Sequence, residues 1–229
     1  MSCALYVVNY KDEERRDRMR TRVKTIGLDA HFVAPVSTTD PRIPATLSPF
    51  EKRNWSIFFQ HVDCIRQFFE NTTYDYCIVC EDDILLSRNL KEEIPDIIHL
   101  YDKTQLDILL LSYLWPYEVA EDHYFPVLVK TDEWKIQGYP ADLWGAHMYF
   151  FSRAHAKTMI DRYTTEYALA ETAAGRPFCT DWQITKHGNR GLLSPMVGLE
   201  EGEVKTDHQG QIDFHRAVFQ FHYREELFV

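Results

Sequence analysis

Tyr76-Cys77-Ile78-Val79-Cys80-Glu81-Asp82-Asp83-Ile84-Leu85 is an apolar run that breaks off at three consecutive carboxylates. Its first half has the length and apolar character of a buried β-strand, so the carboxylates stand at the strand's carboxyl end. Upstream, Cys3 to Val8 is another short apolar run, and the charged stretch from Lys11 to Lys24 after it reads as an exposed helix. His31 to Val36 is a further brief strand. Ser48 then opens a long amphipathic helix reaching about Glu70, with Ser48 as N-cap, Pro49 at the first helical position and Glu51 completing the cap. Downstream, 89–102 reads as helix, 106–112 as strand, 147–151 as strand and 153–163 as helix. After a break at Gly175-Arg176-Pro177 come a short helix over 181–187 and a strand over 192–197. Short buried strands alternating with helices predict an α/β fold: one domain with a mostly parallel, Rossmann-like central sheet flanked by helices. Ligands of such sheets bind at the carboxyl ends of the strands. From Tyr113 to Trp144 the alternation dissolves into a segment rich in Pro, Tyr, Trp and Asp, read as long loops with one hairpin, and such loops carry specificity. The charged tail beyond Gly198 holds several histidines.

Composition narrows the function classes. The 229 residues are 45% hydrophobic and 14% aromatic, enough to bury one substantial core. A formal net charge of −10 argues against a nucleic-acid partner, because that binding draws on Lys and Arg neutralising phosphates. No apolar stretch approaches the roughly 18 to 20 residues of a membrane-spanning helix, and no basic segment with an apolar core opens the chain, so a cytoplasmic protein is expected. The five cysteines include one C-x-x-C pair, Cys77 and Cys80, inside the apolar run; with no second pair at zinc spacing, they read as reduced core thiols.

Like charges packed together repel, so three adjacent acids at a strand end suggest a bound cation. In an extended chain Glu81 and Asp83 point to one side, able to share an ion, and Asp82 to the other. Oxygen ligands suit Mn2+ or Mg2+, and a divalent ion between carboxylates and a diphosphate neutralises a leaving group. The competing reading is an acidic helix N-terminus or turn. Asp181, in Phe178-Cys179-Thr180-Asp181-Trp182, is either a general base for an acceptor hydroxyl or an ordinary N-cap. Val8, Asn9, Tyr10, Arg15 and Arg16 end the first strand and begin the next helix, where a nucleotide would rest; arginine grips phosphate through its planar fork, or else merely solvates the helix. His61 lies among Phe58, Phe59, Val62 and Ile65, either a satisfied core histidine or a group facing the site. Of the late histidines His208, His215 and His222, one is a candidate third metal ligand, and His208 is carried as that choice. No G-x-S-x-G elbow, Walker loop, G-x-G-x-x-G or H-E-x-x-H occurs.

Four blocks together resemble glycosyltransferase family 25, the group of bacterial lipooligosaccharide galactosyltransferases and collagen galactosyltransferases. They are Tyr6-Val7-Val8-Asn9-Tyr10 with Arg15-Arg16 and then Phe32-Val33-Ala34-Pro35-Val36; Leu47-Ser48-Pro49-Phe50-Glu51 leading to Gln60-His61; Cys80-Glu81-Asp82-Asp83-Ile84; and Trp144-Gly145-Ala146-His147 through Ser152-Arg153-Ala154-His155-Ala156-Lys157, with Asp181 at the later aspartate. The resemblance spans roughly residues 3 to 200. It implies a GT-A fold, with a nucleotide-sugar part over about 1–112 and an acceptor part over about 113–229. It further implies a metal-dependent, inverting hexosyl transfer from a nucleotide sugar, a UDP-sugar, to a glycan acceptor, with Val8, Asn9, Tyr10, Arg15, His61, Glu81 and Asp82 at the donor. Metal would be held by Glu81, Asp83 and His208, with Asp181 as base. Gln60 departs from the family's serine, and the aromatic insert of 113–144 has no counterpart in it. Two rivals remain: a sugar nucleotidyltransferase, although Asn9-Tyr10-Lys11-Asp12 is not the glycine-rich basic loop it needs, and a non-catalytic domain of the same shape.

Overall fold

The chain alternates strands and helices in the order β1 (Cys3–Val8), α1 (Glu13–Thr25), β2 (Ala30–Phe32), α2 (Pro49–Asn71), β3 (Tyr76–Glu81), β4 (Ile84–Leu86), α3 (Leu90–Thr104) and β5 (Ile108–Leu114). There follow β6 (Val127–Lys130), β7 (Lys135–Gln137), β8 (Trp144–Ser152), α4 (Arg153–Arg162), α5 (Thr165–Ala173), α6 (Thr180–Ile184), β9 (Arg190–Ser194), β10 (Gly198–Glu200) and α7 (Gln209–His222). The computed structural model describes residues 2–176, 178–203 and 206–229; Pro177 of the expected Gly-Arg-Pro break lies outside them.

Alternation along the strands builds two cores. Ala4, Tyr6 and Val8 of β1 pack with Phe58, Phe59 and Ile65 of α2 and Met159 of α4, whereas Leu5 and Val7 pack with Met19 and Val23 of α1 and Ile97 and Ile98 of α3. The centre of the sheet is therefore buried on both faces, which explains why its strands read as continuous apolar runs. Cys77 belongs to one core and Cys80 to the other, so the two thiols face opposite sides of β3 and cannot chelate one ion. Burial pushes both thiols well above their ordinary pKa.

The eight strands of the main sheet run in the order β2-β1-β3-β8-β5-β9-β7-β6. The α/β class expected from the sequence holds, but the pairing is mixed rather than mostly parallel. β1 pairs parallel with β2 and β3, and β5 with β9, yet β8 enters reversed between β3 and β5, and β7 lies antiparallel to both β9 and β6. Close approach at Gly145 permits the insertion: a Cβ there would sit 2.7 Å from the Tyr113 Cα across the strand pair. β4 and β10 form a separate two-stranded ribbon, antiparallel, with Glu200 opposite Ile84.

Arg153, part of the block read as a family signature, has a structural task. Its guanidinium donates to the carbonyls of Phe69 (2.8 Å), Thr72 (2.8 Å) and Tyr74 (2.7 Å), satisfying carbonyls at and beyond the end of α2. Gln60 is likewise a cross-link: its amide donates to the carbonyls of Asn9 (2.9 Å) and Val33 (3.3 Å), tying α2 to the ends of β1 and β2.

Candidate functional site

β1 and β3 are paired in register, Val8 opposite Glu81, so the turn after each strand opens at the same sheet edge. After β1 the chain bends through Lys11, whose φ of 60° is left-handed. The Asn9 amide holds this bend by donating to the Asp12 carbonyl (2.8 Å) and to Asp82 Oδ2. Asp12 then caps α1 by accepting from the Arg15 amide (3.1 Å), which aims Arg15 back toward β3. The Arg15 Nη1 donates to Asp83 Oδ2 at 2.8 Å and to Asp82 Oδ1 at 3.5 Å.

β3 ends at Glu81, and Asp82 and Asp83 lie in the turn to β4. Strand alternation consequently stops two residues short of the expectation, and Asp82 does not point away: Glu81, Asp82 and Asp83 all line a single cavity of about 270 Å3. Val8, Tyr10, Asp12 and Arg15 line it from the β1–α1 side, Arg53 from α2, His147 from β8, Glu200 and Glu203 from the segment beginning at β10, and His215 from α7. The walls thus bring six carboxylates against two arginines and two imidazoles.

Crowding shows in the acids themselves. Burial, then the charge of Asp83, raises the Glu81 pKa, and burial raises those of Asp82 and Asp83 despite the opposing pull of Arg15. His147 is electrostatically coupled to Glu81, Asp83 and Glu200 together. Asp83 Oδ1 and His147 Nδ1 are both shut off from solvent and, among the described residues, hydrogen-bonded to nothing. Buried polar atoms are normally satisfied, so orphans of this kind call for an ion or other partner. Among the described residues no three His, Cys, Asp or Glu side chains already stand in ligating array. The donor set nonetheless fits a hard divalent cation held by few protein groups, its other positions left to water or phosphate oxygens.

The remaining sequence candidates divide. His61 lies behind the cavity rather than on its wall, wholly buried, its Nδ1 3.1 Å from the Tyr149 hydroxyl and its Nε2 3.6 Å from Glu81 Oε1. Burial lowers its pKa to about 3, so the imidazole is neutral and its approach to Glu81 is not an ion pair. His208, the expected third ligand, is instead exposed and serves as N-cap of α7, its Nδ1 accepting from the Gln211 amide at 3.3 Å. The late histidine that reaches the cavity is His215, bonded through Nδ1 to Glu200 Oε2 at 2.9 Å. Asp181 does not cap its own helix: Cys179 occupies that position, and Asp181 Oδ1 accepts from the amides of Gly145 (3.1 Å) and Ala146 (2.7 Å). Its charge nevertheless acts on His61, Glu81 and His215.

Sequence reasoning missed His147, Glu200 and Arg53 as site residues. His147 sits in an otherwise apolar strand, and that lone polar interruption is a signal that could have marked it. Glu200 arrives through a three-residue strand and Arg53 through one turn of a long helix, with no local pattern to distinguish either.

No protein-family model matches the chain, and no curated protein does. Among solved structures it is similar to the mannose-1-phosphate geranyltransferase of Thermus thermophilus, at 10% identity over 84% of this chain and 73% of that one, with a TM-score of 0.45. It is also similar to a glycosyltransferase involved in glycosylation of the major capsid of PBCV-1, at 9% identity over 94% and 99% of the two chains, TM-score 0.45. A third likeness is to S. aureus TarS in complex with UDP-GlcNAc, at 11% identity over 99% and 68%, TM-score 0.43.

Proposed function

We propose that the chain is a glycosyltransferase that moves a hexose from a nucleotide-sugar donor, a UDP-sugar, to a glycan hydroxyl, and that the acidic cavity receives the donor's diphosphate through a divalent cation, Mn2+ or Mg2+. One observation carries this reading: six carboxylates and two arginines line a single cavity at the carboxyl end of parallel strands, with Asp83 Oδ1 and His147 Nδ1 buried and unpartnered among the described residues. Such walls repel a bare anion and attract a cation, so a diphosphate can settle there only with a cation between.

Glu81 and Asp83 would hold the ion, with His147 as the imidazole beside them in the place expected of His208. Bound there, it would supply positive charge against that developing on the departing diphosphate. Val8 and Tyr10 meet the nucleotide, and Arg15 and Arg53 supply the fork donors that phosphate oxygens accept from. Asn9 and Asp82 act by fixing the bend that holds Arg15 in place. Asp181, its Oδ1 pinned by two amides, presents Oδ2 to the acceptor hydroxyl. As the acceptor oxygen bonds to the anomeric carbon, its proton passes to Asp181 and the bond from that carbon to the diphosphate oxygen breaks. Approach from the opposite face inverts the sugar. His61 stays neutral and backs Glu81.

Incubation with a panel of nucleotide sugars, Mn2+ and mixed glycans, followed by chromatography for free nucleoside diphosphate, tests the reading. Release by the wild type and its loss, by about 100-fold or more, in Asp83→Ala is expected, since removing a group that stabilises transition-state charge has effects of this order. Pyrophosphate release from a nucleoside triphosphate and sugar phosphate would make the chain a nucleotidyltransferase instead.

A further inference from the structure

A second cavity, of about 460 Å3, is walled by the aromatic segment between β5 and β8 together with α7. Trp115, Tyr124, Trp144 and Phe214 contribute ring faces, and the charged side chains on its wall are Glu118, Asp122 and Asp142; among the described residues lining it there is no lysine or arginine. Tyr124 is 58% exposed, Trp144 41% and Phe214 36%, so three large rings stand open to solvent in one place. Trp144 is braced from behind by Trp182, ring centroids 5.8 Å apart.

The position of this cavity is set by β8. Trp144, the first residue of the strand, lines it, whereas His147, three residues on, lines the acidic cavity. At about 3.3 Å per residue, roughly 10 Å of strand separates the two. Between them lie Gly145 and Ala146, whose amides hold Asp181. The carboxylate assigned to the acceptor hydroxyl is therefore held at the stretch of β8 between the two cavities, although it lines neither.

We propose that the aromatic cavity is the acceptor subsite and that it takes an uncharged sugar residue at the end of a glycan. This rests on the transfer reading above. One face of a pyranose ring consists of C–H bonds, which pack against the electron-rich faces of Trp144 and Tyr124, while the ring's hydroxyls donate to carboxylates at the rim. An acidic lining disfavours sialylated, sulfated or uronate sugars, because each would bring a second negative charge to Glu118 and Asp142; Lys186, the cation whose charge acts on Asp142, gives its ammonium to the Leu143 carbonyl.

A glycan array bearing neutral and anionic glycans, probed with the wild type, Tyr124→Ala and Trp144→Ala, tests the assignment, with calorimetric titration of UDP and Mn2+ run on all three proteins. Both rings are exposed rather than buried in the core, and Trp144→Phe provides a variant that keeps a ring face. Retention on neutral glycans alone is expected, weakened about tenfold or more by each alanine and less by phenylalanine, with nucleotide binding unchanged. Failure to retain any neutral glycan, equal retention by both alanine variants, or preference for anionic glycans overturns the proposal. If ring-dependent retention of neutral glycans persists but UDP with Mn2+ never binds, the cavity assignment stands and the transfer reading falls.

Discussion

Glu200 and His215 hold each other on the wall of the acidic cavity, and their bond sets a pH dependence. Burial works against a charged His215, but the bond to Glu200 and its charge outweigh it, and the pKa is raised; for Glu200 burial is likewise outweighed and the pKa is lowered. A raised histidine contributes stability that is full below its unfolded value, near pH 6.5, and is lost as pH rises through the folded value. A lowered carboxylate contributes stability that is present above its unfolded value, near pH 4.3, and is lost as pH falls through the folded one. The pair is therefore most stabilising between about pH 4.3 and 6.5. His215→Gln is expected to cost about 1 to 3 kcal/mol at pH 6, and less by pH 9, in urea titrations; a cost that stays constant over that range would show that the pair is not ionic. The same two residues mark how far single positions were legible. The carboxylate triplet announced itself because acids seldom cluster at the end of an apolar run, whereas Glu200 and His215 sit 15 residues apart in a polar tail and acquire meaning only when β10 and α7 fold over the triplet.

Elements of the sheet's centre were legible for a reason visible in β3 and β5: both faces are covered, so each strand is a continuous apolar run with polar punctuation. α2 was marked at its start by the capping box of Ser48 and Glu51, which the structure forms in full. Strand direction was not legible. β8 is as apolar as its neighbours, and nothing in its residues says that it runs opposite to β3 and β5. α7 was missed although Phe214, Ala217, Val218 and Phe221 fall at the helical spacing i, i+3, i+4 and i+7; of these Val218 is buried while both rings stay partly open to solvent, in a segment whose charged and titratable residues mask the stripe. Gly145 is where the reversed strand meets the carboxylate proposed as base, since it both passes within a methyl's reach of Tyr113 and donates its amide to Asp181. Gly145→Ala is expected to force β8 from β5 at a cost of about 1 to 3 kcal/mol, the usual range for overpacking. The Asp181 seat moves with it, so turnover falls while binding of UDP with Mn2+, centred on β3, persists. Parallel urea unfolding and calorimetry would check this, and loss of nucleotide binding at unchanged stability would refute it.

Across the whole molecule charge decides how an anion can be bound at all. The chain carries a formal charge of −10, and the cavity concentrates six of its carboxylates, so neither long-range attraction nor the local walls favour a nucleotide diphosphate by itself. Two arginines cannot invert that balance, and the charge of Arg15 is partly offset by Asp82 and Asp83, which its Nη1 meets. A divalent cation, as proposed, would reverse the local sign, and cation and diphosphate would then bind as a coupled pair, each strengthening the other by the same factor. Because only the folded chain assembles β1, β3, β8, β10 and α7 around the cavity, binding appears as thermal stability. At a ligand concentration about a hundredfold above Kd the gain is about 2.7 kcal/mol. In a chain of this size that moves the melting temperature by roughly 5 to 10 °C. UDP with Mn2+ is expected to give such a shift, UDP with chelator none, and Mn2+ alone a smaller one. Equal shifts with and without the metal would mean that protein cations carry the diphosphate, and the acidic cavity would then have to be something other than its seat.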